Sequence, residues 1–144
     1  MAGQHKANSA YVVDSFVVAS VLLPDERKLS ASTRGPELIK LLENPAINFL
    51  APKLLIFEVG NILRTCVLRG RLDQRGAKTI FQTFMSFPIN YLSPNYEQTL
   101  RFSLEHNCSY YDSSYAQLAL EQKAKLLTLD RNLRQLYQKA ALTF

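Results

Sequence analysis

Apolar residues follow two different patterns along the chain. Short runs of consecutive apolar residues alternate with longer segments in which apolar residues recur every three or four positions. The short runs predict buried strands, and the longer segments predict amphipathic helices. We predict strands at residues 11–13, 47–50, 89–92 and 126–129, with a further edge strand at 141–144. Helices are predicted at residues 16–23, 37–43, 52–70, 73–88, 94–106, 112–123 and 132–138.

Strands that alternate with helices of this length favour parallel pairing and a sheet covered by helices on both faces. We therefore predict an α/β fold, a three-layer sandwich with a central, mostly parallel sheet. Residues 1–10 are predicted to be a flexible N-terminal tail, and residues 11–144 a single domain. A chain of 144 residues is long enough to bury a core without disulfides or structural metal. The charged segment 25–35 is predicted to be a loop or a frayed helix, and its role is open.

Composition and charge narrow the function classes only modestly. The chain is 47% hydrophobic and 20% charged, an ordinary globular balance. It has no apolar run of the ~20 residues that a membrane span needs, and residues 1–9 lack the apolar centre of a signal peptide. We therefore expect a cytoplasmic protein without membrane association, with Cys66 and Cys108 as reduced thiols. A formal net charge of +5 favours a polyanionic partner, but only slightly.

Several familiar active-site chemistries have no support in the sequence. There is no Gly-x-Ser-x-Gly motif, no glycine-rich phosphate-binding loop and no zinc-type cysteine and histidine spacing. Of the two histidines, His5 lies in the predicted tail, and His106 at a helix end is expected to cap that helix. Carboxylates are therefore the remaining candidates.

Four acidic residues occupy unusual positions. Asp14 ends the first predicted strand and Asp130 ends the fourth, while Asp112 stands at a predicted helix start. Parallel strands share one carboxyl edge, which is where ligands bind in open α/β sheets. Glu58 lies within the otherwise apolar run at 54–59, so its side chain has to point from that surface toward the same edge.

Each of the four acids also has a simpler interpretation. Asp14, Asp112 and Asp130 could be helix N-caps, and Glu58 could be a solvated helix position. As a group they suggest a metal-binding site. Carboxylates ~4 Å apart repel by roughly 4 kcal/mol per pair at an effective dielectric near 20. Bound cations would relieve that repulsion. Oxygen ligands without sulfur or imidazole select Mg²⁺ or Mn²⁺, which can activate water against a phosphodiester.

Four sequence blocks resemble those of a known family. Tyr-Val-Val-Asp-Ser at 11–15, Phe-Glu-Val-Gly-Asn at 57–61, Tyr-Tyr-Asp-Ser-Ser-Tyr-Ala-Gln-Leu-Ala at 110–119 and Leu-Leu-Thr-Leu-Asp-Arg-Asn-Leu at 126–133 are similar, in order and spacing, to the acidic blocks of the PIN domain. The similarity is greatest to its VapC-like branch of toxins and covers nearly the whole chain. Tyr110-Tyr111 and Ser113-Ser114 depart from many relatives.

The resemblance implies a metal-dependent endoribonuclease, the toxin of a toxin–antitoxin pair. It implies that Asp14, Glu58, Asp112 and Asp130 surround Mg²⁺ or Mn²⁺ and that a metal-activated water cleaves RNA. It also implies a homodimer and inhibition by a small antitoxin protein. Supporting contacts are expected from Asn61, one turn after Glu58, and from Ser15 and Thr128, although structural roles are open for all three.

A basic segment is a candidate RNA-binding surface. It consists of Arg64, Arg69, Arg71, Arg75 and Lys78, opposed only by Asp73. These side chains could contact phosphates, or they could form a solvated outer face or a partner surface. Arg131 and Arg134 are alternative phosphate contacts.

Two other functions compete with the nuclease. A receiver-like signalling domain would need a strand-end aspartate in the middle of the chain, which is absent. A non-catalytic PIN-fold module that binds RNA or protein remains the alternative.

Overall fold

The structure is a computed structural model that describes residues 9–23 and 35–142, with the side chains of 35–38 excepted. The strands are β1 (Ser9–Val13), β2 (Ile47–Ala51), β3 (Ile89–Tyr91) and β4 (Lys125–Leu127). The helices are α1 (Ser15–Leu22), α2 (Gly35–Glu43), α3 (Leu54–Leu68), α4 (Gln74–Met85), α5 (Tyr96–His106), α6 (Tyr110–Glu121) and α7 (Arg131–Ala141). Among these residues, no helix is both long and apolar enough to cross a membrane.

The four strands form one parallel sheet in the order β3-β2-β1-β4. In the register, Tyr11 pairs with Phe49 of β2 on one side and with Lys125 of β4 on the other. The chain thus adds strands on one side of β1 and then crosses to the other side for β4. This reversal of strand order lies at β1, and the crevice beyond the carboxyl ends of β1 and β4 is where such sheets bind ligands.

Helices flank the sheet, as the apolar pattern predicts. Helix α1 contacts α2 and α3, and α3 contacts α4, while α6 contacts both α5 and α7. The central strand β1 is buried at Val12 and Val13, and α6 is buried along almost its whole length. An α/β fold with a parallel sheet between helices is therefore confirmed.

Most predicted boundaries differ from the observed ones by one to three residues, and three differences change how residues are assigned. Strand β1 begins at Ser9, so Ser9 and Ala10, which we predicted in the tail, pair with Ile47 and Asn48. Helix α6 begins two residues earlier than predicted, because Ser109 caps it.

The third difference is the edge strand predicted at 141–144, which is wrong in the part that the structure describes. Ala141 ends α7, and the backbone N–H of Leu142 donates to the Gln138 carbonyl, so helical hydrogen bonding continues there. Residues 143–144, like most of the predicted tail and the predicted loop at 25–34, lie outside the described residues.

Candidate active site

Asp14 occupies the carboxyl end of β1, as predicted. Its backbone N–H donates to the Leu127 carbonyl at 3.3 Å, which extends the pairing of β1 with β4 by one step. Its Oδ1 atom accepts from the Val17 N–H at 3.0 Å, so Asp14 is also the N-cap of α1. The capping interpretation is therefore correct, but it accounts for only one of the two carboxylate oxygens.

The second oxygen of Asp14 is bonded to Thr128. The Thr128 hydroxyl donates to Oδ2 of Asp14 and accepts from the Asp130 N–H at 3.0 Å. Thr128 is 1% exposed and Asp14 is 5% exposed. Burial raises the pKa of Asp14 to about 6, against the hydrogen bonds from Thr128 and Val17, and the carboxylates of Glu58 and Asp112 raise it further.

Glu58 projects from α3 toward the same centre. It is half-buried, and its Oε1 atom accepts a hydrogen bond from the Tyr115 hydroxyl of α6. Burial raises the pKa of Glu58, the Tyr115 bond lowers it, and the Asp112 carboxylate raises it. Tyr115 is 2% exposed, and burial together with Glu58 raises the pKa of its phenol. The phenol therefore stays a proton donor, and Glu58 is not the solvated helix position of the simpler interpretation.

Asp112 lies in the first turn of α6 and is not its N-cap, which is Ser109. The Asp112 N–H donates to the Ser109 Oγ atom at 3.0 Å, so the capping interpretation of Asp112 is wrong. The carboxylate of Asp112 repels those of Asp14 and Glu58 and also acts on the Tyr115 phenol. Three of the four acids thus share one electrostatic centre around Tyr115.

Asp130 differs from the other three acids. Its Oδ1 atom accepts from the N–H groups of Asn132 and Leu133, at 2.9 and 3.2 Å, so it caps α7. It is exposed and is not among the carboxylates that raise the pKa of Asp14 or Glu58. In residues 9–23 and 35–142, no three His, Cys, Asp or Glu side chains are already arranged to hold one metal ion.

The PIN domain family model matches residues 11–139. The chain belongs to the PIN domain family. Ribonuclease VapC3 from Pyrobaculum aerophilum is 30% identical over 129 residues, which are 85% of this chain and 90% of that protein. The crystal structure of PAE2754 from Pyrobaculum aerophilum is 22% identical and has a TM-score of 0.68, with 95% of this chain and 96% of that chain covered. That structural likeness supports the PIN fold.

A groove in this PIN domain connects the acidic centre with the rim at Asp130. A cavity of about 380 Å³ is lined by Glu58, Ser15 and Asn61, and a neighbouring cavity of about 550 Å³ by Asn61 and Asp130. Phe16, 64% exposed, borders both cavities. Asn61 is exposed between the two cavities, so its side chain faces the groove and is not an interior contact.

The basic residues of the PIN domain divide between two surfaces. Arg69 and Arg71 line the cavity that contains Asp130 and Asn61. Arg64 and Lys78 line a separate cavity of about 350 Å³ between α3 and α4. The five basic residues predicted to bind RNA therefore do not line one cavity, and Arg75 lines neither of these two.

The two arginines after Asp130 also differ from each other. Arg131 is exposed at the start of α7. Arg134 is half-buried, and its Nη2 atom donates to the Thr128 carbonyl at 2.6 Å. Arg134 therefore braces the Thr128 backbone, which is a structural role that the sequence did not indicate.

One central residue, Tyr115, was missed by the sequence analysis. It lies one helical turn after Asp112, and residues three apart on a helix share a face. That spacing could have placed Tyr115 beside the acidic centre, whereas its bond to Glu58 depends on how α3 and α6 meet.

Proposed function

We propose that this PIN-domain protein is a metal-dependent endoribonuclease and the toxin of a toxin–antitoxin pair. The observation that carries the proposal is the convergence of Asp14, Glu58 and Asp112 beyond the carboxyl edge of the sheet. Membership of the PIN family and the name of the relative ribonuclease VapC3 support the choice of RNA hydrolysis.

The donor set fits a hard divalent cation. Burial and mutual repulsion raise the pKa values of Asp14 and Glu58, and no basic side chain among the described residues lowers either value. We infer that Asp14, Glu58 and Asp112 hold Mg²⁺ or Mn²⁺, with Asp130 joining from the rim. When bound, such an ion acidifies a coordinated water and offsets the charge that grows on the phosphate.

Hydrogen bonds from surrounding groups hold the carboxylates of Asp14 and Glu58 in a fixed orientation. Thr128 and the Val17 N–H fix both oxygens of Asp14, and Tyr115 fixes one oxygen of Glu58. Groups held in one geometry avoid the entropy cost of ordering during the reaction. Hydrolysis adds water across one P–O bond. We place the substrate's phosphate in the groove beside Asn61, with Ser15 at its edge, because both residues line the cavity that contains Glu58.

Basic residues at the groove are candidates for holding the RNA. Arg69 and Arg71 line the groove beside Asp130, and Arg131 is exposed next to Asp130. We assign these three to the phosphates that flank the cleaved bond. Arg64, Arg75 and Lys78 fall outside this assignment.

The proposed biology follows the VapC-like resemblance. We propose a cytoplasmic homodimer that is inhibited by a small cognate antitoxin covering the acidic groove. The 30% identity to ribonuclease VapC3 supports this assignment.

The test is cleavage of labelled single-stranded RNA with Mg²⁺, Mn²⁺ or EDTA. Wild type should cleave with either ion and not with EDTA, and Asp14→Asn and Asp112→Asn should be inactive. The matched control is Glu97→Gln on α5, an exposed acid outside the groove, which should cleave like wild type. Equal cleavage by wild type and both aspartate variants would overturn the proposal. RNA binding without any cleavage would favour the non-catalytic alternative.

A further inference from the structure

A second cavity adjoins the acidic centre, and three tyrosines are among the residues that line it. It has a volume of about 250 Å³ and lies where α3, α5 and α6 begin. Leu54 and Tyr111 border both this cavity and the one that contains Glu58. A chain that follows the acidic groove past Tyr111 therefore enters this cavity. We refer to it as the tyrosine cleft, lined by Tyr96, Tyr110, Tyr111, Lys53, Pro52 and Pro94.

The aromatic rings of the tyrosine cleft face solvent instead of filling the core. Tyr96 is 68% exposed and Tyr111 is 63% exposed. Among the described residues, the Tyr111 hydroxyl has no hydrogen-bond partner. Exposed aromatic rings in a concave site are what nucleic-acid-binding proteins use to stack unpaired bases.

Two hydrogen bonds tie the walls of the cleft together, which favours a preformed site. The Tyr110 hydroxyl donates to the Tyr96 carbonyl at 3.1 Å, and this bond links α6 to α5. Ser114 Oγ donates to the Tyr111 carbonyl at 2.6 Å. Pro52 and Pro94 are buried at the base of the cleft. A preformed site spends less binding energy on ordering its own side chains.

Charge distinguishes a nucleotide from other occupants. Of the described residues that line the cleft, Lys53 carries the only charge, and it is exposed at the start of α3. A cation beside flat aromatic surfaces matches a nucleotide, which offers a base for stacking and a phosphate for the ammonium group. An apolar peptide side chain would leave Lys53 without a complementary charge.

We propose that the tyrosine cleft is a nucleobase subsite, in which Tyr111 stacks against an unpaired base next to the cleaved phosphate and Lys53 contacts that nucleotide's phosphate. The inference deepens the proposed function and rests on it, because it assumes that the substrate is single-stranded nucleic acid. It assigns a substrate-binding role to the Tyr110-Tyr111 pair.

Binding measured in EDTA tests this subsite independently of cleavage. The chain contains no tryptophan, so Tyr111→Trp provides a single fluorescence reporter. A single-stranded RNA decamer should change its emission, whereas an oligomer of the same length made of base-free tetrahydrofuran phosphates should not. The control Leu104→Trp, at an exposed position outside the cleft, should respond to neither.

The affinity of the cleft is tested by removing the ring. Tyr111→Leu should weaken binding of the RNA decamer about 5- to 100-fold, the range that corresponds to loss of one stacked base. It should leave binding of the base-free oligomer unchanged, and Tyr111→Phe should bind RNA like wild type. Circular dichroism checks that each variant is folded.

Three results would overturn the inference. They are unchanged RNA affinity in Tyr111→Leu, an equal loss of affinity for the RNA and the base-free oligomer, or an emission change in Leu104→Trp as large as in Tyr111→Trp. If the protein binds the decamer through Tyr111 but cleaves no RNA, the subsite stands and the proposed catalytic function fails.

Discussion

The hydroxyl of Tyr115 donates a hydrogen bond to Oε1 of Glu58, and this contact joins α6 to α3 beside the acidic centre. Tyr115 is buried and Glu58 is half-buried, so the bond lies where the groove meets the core. It also lowers the pKa of Glu58, against burial and the Asp112 carboxylate, which both raise it. A core residue thus controls the charge of a candidate catalytic acid.

Removing that hydroxyl should shift the pH dependence of cleavage. In Tyr115→Phe, Glu58 loses the donor that lowers its pKa, so a higher pH is needed to ionise it. We expect the acidic limb of the pH–rate profile to move to higher pH. On the acidic limb, the rate at a given pH should fall about tenfold, since hydrogen bonds to charged groups contribute ~1.5–3 kcal/mol.

The matched control for this prediction is Tyr137→Phe. Its hydroxyl donates to the Ala124 carbonyl, away from the acids. Both variants lose one phenolic hydrogen bond, but only Tyr115→Phe should shift the profile. Identical profiles for the two variants would contradict the role given to Tyr115.

The second prediction concerns the free energy of unfolding of the metal-free protein. The pKa of Asp14 is raised from 3.8 to about 6. The neutral carboxyl group therefore favours the folded state below pH 4, and this stabilisation is lost as the pH rises through 6 and Asp14 ionises. A shift of this size corresponds to a loss on the order of 3 kcal/mol in the free energy of unfolding at pH 8. We expect Asp14→Asn to be more stable than wild type at pH 8 in EDTA, with the gain vanishing near pH 4.

Urea denaturation at the two pH values measures this gain. Asp73→Asn is the control, because Asp73 caps α4 through Gly76 at 2.6 Å but is exposed. Its effect at pH 8 should stay within about 0.5 kcal/mol. Mg²⁺ should raise the melting temperature of wild type more than that of Asp14→Asn. A destabilised Asp14→Asn at pH 8 would refute the electrostatic account.

The third prediction concerns Thr128, whose hydroxyl bonds both Asp14 and the Asp130 N–H. Thr128→Val keeps the shape of the side chain but removes both bonds and leaves a donor unsatisfied. We expect a loss of about 1–3 kcal/mol in the free energy of unfolding, measured by urea denaturation. Thr128→Ser should recover most of the loss. Thr79→Val, at an exposed site on α4, should cost little, and an equal loss there would argue against the special role of Thr128.

The fourth prediction separates the two basic surfaces. Arg69 lines the groove beside Asp130, whereas Arg64 lines the cavity between α3 and α4. If Arg69 binds a phosphate, Arg69→Gln should lower the slope of log affinity against log salt for single-stranded RNA by about 0.7. Arg64→Gln removes the same charge and should leave the slope unchanged. Equal slopes for the two variants would show that both arginines act only through the overall electrostatic field of the protein.

Local sequence patterns were sufficient for the parts of the site that depend on neighbouring residues. Asp14 and Asp130 each follow a short apolar strand and precede a helix, so their placement at one sheet edge follows from parallel pairing. In these cases the structural cause lies within a few residues of the side chain.

Other features depend on longer distances or on competing local signals. The bond between Glu58 and Tyr115 spans 57 positions and depends on the meeting of two helices. The division of Arg64 from Arg69 depends on which way each side chain leaves α3. The start of α6 was misplaced although Ser109-x-x-Asp112 is itself a helix-capping spacing, which places Asp112 inside the first turn.

The last described strand, β4, pairs along one side of β1, and this has a consequence for biosynthesis. Asp14 and its partner Thr128 are 114 positions apart. At ~5–20 residues per second, a ribosome needs roughly 6 to 23 s to make Thr128 after Asp14 has been polymerised. Until β4 emerges and docks against β1, a growing polypeptide has no hydroxyl to hold that aspartate. Under the proposed function, the catalytic centre is therefore complete only after Thr128 has left the ribosome.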